Sequence, residues 1–189
     1  MKTVAQFPVR TSVAALAKVA RFDPEASLRA LAISSLAFIN HESVFPAILI
    51  AMADESREVR AAAARSLSRV SFDRADGYIR VTETDDVETL RDVAQACIKA
   101  GIAAQGIDRL SSGDHQAYEA LSVVSLLMKA NTFEPLLEAI AQHPNLDVRL
   151  TAIHLLGMAG QTGLLEKLRQ LAGDSTSEAV KAAILETIA

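Results

Sequence analysis

Residues 54–70 read DESREVRAAAARSLSRV. The same frame stands earlier, at 23–39, as DPEASLRALAISSLAFI, and later, at 85–98, as DDVETLRDVAQACI. Each copy has an aspartate (Asp23, Asp54, Asp85), five residues, then an arginine (Arg29, Arg60, Arg91). An apolar residue precedes each arginine, and another follows seven positions on, at Leu36, Leu67 and Ile98. Worn copies follow. Asp114, Ala120 and Leu127 keep the frame, Val148-Arg149 leads to Leu156, and Val180-Lys181 leads to Ile188. The anchors at 29, 60, 91, 120, 149 and 181 lie 31, 31, 29, 29 and 32 residues apart. A fixed period of this length is the mark of stacked supersecondary units.

Between the anchors lies a second set of shorter apolar segments: 13–20, 44–53, 75–84, 103–111, 133–142 and 164–172. Apolar positions recur at helical spacing in both sets, so the unit is two helices. The anchor helices are expected to run about fifteen residues. Punctuation agrees with this reading. Asp54, Asp85, Asp114 and Asp174 stand where a short polar side chain caps or turns the chain. Pro46 and Pro135 fall in first turns, and Gly101, Gly113, Gly160 and Gly173 fall at helix exits. Neither helix buries its apolar face alone, and stacking makes one core.

Composition bounds the function. Half of the 189 residues are hydrophobic, enough for a continuous core. The 23 acidic and 19 basic side chains give a net charge of -4, which argues against a dedicated nucleic-acid binder. The chain has no Trp, two Tyr and six Phe, which suits closely packed alanine-rich helices and not sheets. The single cysteine, Cys97, excludes an internal disulfide and a multi-cysteine zinc site. Residues 1–8 hold no apolar signal core, and the longest apolar run, 44–53, is too short for a bilayer. No membrane insertion is expected, and the expected location is cytoplasmic. The sequence leaves the oligomeric state open.

The Asp…Val-Arg-x-Ala-Ala-x-x-Leu frame, after a helix of the type FPAILIAMAD at 45–54, resembles HEAT repeats, above all the short bacterial type also found in phycobilin lyases. The resemblance runs from about Val13 to Ile188. It implies an all-α fold, a right-handed alpha-alpha superhelix (HEAT-like solenoid) of about six two-helix repeats, as a single domain over 1–189. It implies a convex layer of anchor helices, a concave layer of shorter ones, and a structural Asp–Arg ladder along the stack. Ala120 replaces the fourth arginine and His143 the fifth aspartate, so a break in the ladder and a change of curvature are expected there. The array starts on a lone second-type helix and ends on an apolar first-type helix. It reads either as a piece of a longer array or as an end that packs on something.

Catalytic chemistry finds no support. There is no Gly-x-Ser-x-Gly, and Ser34, Ser35, Ser66 and Ser68 fall within anchor helices. The glycines are isolated rather than grouped as a phosphate loop. His41, His115, His143 and His154 show no paired metal spacing, and His41-Glu42 is a single dyad where HEAT-like hydroxylases need several. Cys97 holds the place of Ser35 and Ser66, a crowded site expected to keep the thiol inert. No cofactor and no metal are expected.

One register carries charge. Three residues beyond Pro46 and its equivalents stand Lys18, Leu49, Arg80, Arg109, Glu138 and Arg169. If this register faces the concave groove, Lys18, Arg80, Arg109 and Arg169 form a broken basic stripe able to steer an acidic peptide. Tyr78 and Phe45 lie near it as candidate aromatic anchors. The expected function is a non-catalytic protein–protein interaction scaffold. It would bind a partner protein or acidic peptide along the concave face, with no nucleic acid. The alternative is an enzyme accessory of the bilin-lyase-like HEAT type.

Overall fold

The computed structural model describes residues 9–113, 115–159, 162–174 and 177–188. Among these residues there are twelve α-helices, one 3-10 turn and no strand. The predicted Asp114 and Gly160 positions lie outside them. The set expected to be shorter is α1 (Val9–Phe22), α3 (Phe45–Ala51), α5 (Arg74–Thr82), α7 (Ile102–Asp108), α9 (Glu134–Gln142) and α11 (Thr162–Asp174), of which α1 and α11, with 14 and 13 residues, are longer than three of the anchor helices. The anchor set is α2 (Ala26–Leu36), α4 (Arg57–Leu67), α6 (Val87–Lys99), α8 (His115–Lys129), α10 (Leu146–Met158) and α12 (Glu178–Thr187). Only α8 reaches the expected fifteen residues. The chain forms two compact units, Met1–Gly101 and Ile102–Ala189.

In the first unit, α2 packs along α4 and α1 along α2, as paired repeats require. Small residues permit that approach: Ala30, Ala32, Ala62 and Ala63 are buried with Ile33, Leu36 and Val59. Phe45 opens α3 and is fully buried, edge-on to Phe72 and Tyr78 with centroids 5.6 and 5.0 Å away. Gly77 on α5 faces that ring, and a Cβ there would stand 2.8 Å from it.

Among the described residues the Asp–Arg ladder has one complete rung. Arg29 grips Asp54 through Nε and Nη2, each 2.9 Å from a carboxylate oxygen, with both side chains nearly buried. Arg29 Nη1 also donates to the carbonyls of Asp23 and Pro24. Arg60 repeats only this second role, on the carbonyls of Asp54 and Glu55. Among the described residues no bond joins Arg60 to Asp85. The reason lies one residue on. Asp86 caps α6 through the Glu88 and Thr89 N–H groups, leaving Asp85 exposed in the turn. Helix α6 then packs on α3, and Arg21 at the end of α1 forms ion pairs with its Asp92 and Glu88.

In the second unit, Leu136, Ile140, Val148, Ile153, Leu156 and Leu168 form the centre of the core. His143 replaces the missing aspartate in its own way. Its Nδ1 accepts from the Asn145 N–H, and its Nε2 lies 2.9 Å from Asp108 at the end of α7. Asn145 caps α10 on the Asp147 N–H. Gly157 on α10 lets Thr187 of α12 come closer than any side chain would allow.

Three outcomes follow. Burial raises the Asp54 pKa, but hydrogen bonds from Arg29 and Ser56 and the charges of Arg29 and Arg60 outweigh it and hold the carboxyl below its ordinary value. Its contribution is therefore present above about pH 4 and is lost as pH falls through the folded value. Arg29→Ala is expected to lower Tm by about 5–10 °C, because it strands a nearly buried carboxylate. The Tm gap between the wild type and Asp54→Asn should narrow from pH 6 to pH 3 in thermal melts. Gly77→Val should cost about 1–3 kcal/mol in urea unfolding, because the Phe45 ring has no room to retreat.

Candidate functional site

The first unit carries a cleft of about 470 Å³ between α1, α3 and α6. Its floor is small: Ala17 and Ala20 from α1, Ala47 and Ala51 from α3, and Ala96 from α6. Helices α1 and α3 each offer two alanines about one turn apart, so their backbones lie close to the surface. The rim is polar and charged, with Lys18, Arg21, Asp54, Asp92, Gln95 and Lys99. Both carboxylates are engaged, Asp54 by Arg29 and Asp92 by Arg21. Among the described residues Lys18 and Lys99 have no ion-pair partner, so they leave the rim cationic. Phe22 stands on the same rim, 67% exposed, with the Arg21 guanidinium 5.0 Å above its ring.

A second chamber of about 460 Å³ adjoins the first and shares Ser43, Pro46 and Thr89 with it. Arg10, His41, Glu42, Arg80, Val81 and Thr84 complete its walls. Its turn is held locally: His41 Nδ1 accepts from the Ser43 N–H at 3.1 Å and pairs with Ser43 Oγ at 2.8 Å.

The expected stripe is placed as follows. Lys18 lines the first chamber and Arg80 the second. Arg80 pairs with Glu83 one turn on, 3.1 Å away, and Arg169 pairs with Glu166 at 3.2 Å. Arg109 is exposed just beyond the end of α7. Leu49, in the same register, is fully buried, so the register is not one continuous solvent face. Tyr78 does not act as a surface anchor. It is 1% exposed, because its ring fills the space beside Phe45. The exposed aromatic of the site is Phe22, which sequence reasoning missed. Its signal was its place at the C-terminal end of α1, beyond the buried Ala20.

Among the described residues, no three His, Cys, Asp or Glu side chains gather as metal ligands, and no helix is long and apolar enough to cross a membrane. Cys97 is fully buried, and burial pushes its thiol up to about 12. Ellman's reagent at pH 8 should leave the native thiol unmodified and titrate one thiol after denaturation. Rapid native labelling would show that α6 opens.

The match to known proteins agrees with this architecture. The family model of HEAT repeats covers residues 13–100 and 104–189. No curated protein matches the chain. The paired helices, the period and this coverage together show that the chain belongs to the HEAT repeat family.

Proposed function

We propose that the chain is a non-catalytic interaction scaffold that holds an acidic, extended segment of a partner protein in the cleft between α1, α3 and α6. The observation that carries this reading is the alanine floor beneath a cationic rim. Its volume falls within the roughly 300–1,000 Å³ span of ligand sites. A floor of small side chains lets a partner backbone lie close to α1 and α3. Lys18 and Lys99 supply unneutralised positive charge on opposite helices, in a protein whose net charge is -4. Local charge of this kind raises the association rate of an acidic segment. Phe22 offers the aromatic surface on which binding energy concentrates. Arg109 and Arg169, exposed in the second unit, form no part of this cleft and are proposed separately as steering charges for an acidic partner, with Arg169 first released from Glu166.

The test is crosslinked pull-down from the host with the wild type, Lys18→Glu/Lys99→Glu and Ala47→Glu. Both variants should lose the same partner by roughly tenfold or more, with Tm unchanged for the lysine pair, because those side chains are exposed. Undiminished capture by both variants would remove the cleft from the reading.

A further inference from the structure

We propose that the chamber walled by Arg10 and Arg80 takes a phosphorylated side chain of the partner segment. The inference rests on the reading of the adjoining cleft as a peptide groove and deepens it.

The chamber lies beside the groove and shares three wall residues with it. A segment lying in the groove therefore passes its mouth. The balance of charge in its lining is positive: Arg10 from α1 and Arg80 from α5 against one carboxylate, Glu42. Arg10 has no ion-pair partner among the described residues. Arg80 is held by Glu83, but both side chains are more than half exposed, and such pairs are marginal. A phosphate takes a guanidinium through two parallel hydrogen bonds and displaces so weak a partner.

His41 adds a donor by elimination. Its Nδ1 accepts the Ser43 N–H, so the neutral ring carries its proton on Nε2. Two guanidiniums and an Nε2–H match a dianion better than a single carboxylate. A phosphorylated hydroxyl carries close to two charges and three acceptor oxygens at neutral pH.

The experiment is an NMR titration of the full chain at fixed ionic strength. The probes are acetyl-Ala-phosphoSer-Ala-amide, the same peptide without phosphate, and inorganic phosphate. The Arg10 and Arg80 Nε–Hε signals and the Ser43 and Thr84 amides should shift with the phosphopeptide and not with its unphosphorylated form. Arg10→Gln/Arg80→Gln should weaken that response at least tenfold while leaving Tm unchanged. Equal shifts with the unphosphorylated peptide, or full affinity in the double variant, overturn the proposal. Inorganic phosphate binding as tightly as the phosphopeptide overturns the partner as its source. The two readings fail separately. Intact shifts with undiminished capture by Lys18→Glu/Lys99→Glu and by Ala47→Glu remove the groove and leave the chamber. Absent shifts with capture lost in those variants remove the chamber and leave the groove.

Discussion

The Asp54 carboxylate accepts from three donors at once: two from Arg29 of the preceding repeat and the Ser56 N–H of its own turn. One short side chain thus closes the approach to α4 and ties that turn to α2. The link is nearly buried, so neither charge is satisfied by water if the other is removed. It sets the register in which Ala30, Ile33 and Leu36 meet Val59, Ala62 and Ala63. Where the same frame lacks this link, the packing takes another course. Arg60 turns back on its own loop carbonyls, and α6 is secured by Arg21 instead.

That exchange of partners makes the cleft. Arg21 is not an anchor arginine, and Asp92 and Glu88 are not turn aspartates. Their pairing nonetheless brings α6 to α1 while α6 packs on α3, with the alanines of all three helices between them. The turns use the same donor logic with different residues. Asp23, Asp54, Asp73, Asp86, His41, His143 and Asn145 each accept from the N–H two positions on. The geometry needs an acceptor on a short or ring-bearing side chain, not an aspartate as such. This explains how His143 replaces the fifth aspartate and still joins its turn to Asp108.

The helices were legible because their signals are local. Apolar spacing, Pro46 and Pro135 in first turns, and Gly101 at positive φ each act within one turn of chain. The site was legible only in part. Lys18 and Arg80 were named from register alone, and both line the clefts. The same register failed at Leu49, because its helix turns that position into the core beside Phe45. Tyr78 failed for the same reason: an aromatic at helical spacing on a short helix is taken up by the nearest void, here the one beside Gly77 and Phe45. Arg21 and Lys99 could not be read, since what joins them to Phe22 is the packing of α6 on α3, 67 to 71 residues beyond the arginine that pins it.

An alanine chosen for stacking and an alanine chosen for binding are the same residue. In this chain Ala51 is buried in the core of the first unit and also lines the cleft. Ala20 does both as well. A catalytic centre announces itself by residues that packing alone would not select, such as paired acids or clustered ligands. A backbone-deep groove uses the residues that packing selects anyway, and only the uneven placement of charge around it separates function from scaffold. Here that unevenness is local: the rim holds Lys18 and Lys99 without counter-charge, although acids outnumber bases over the whole chain. The sign of the rim, opposed to the sign of the chain, is therefore the observation on which the proposed acidic partner rests, and no motif adds to it.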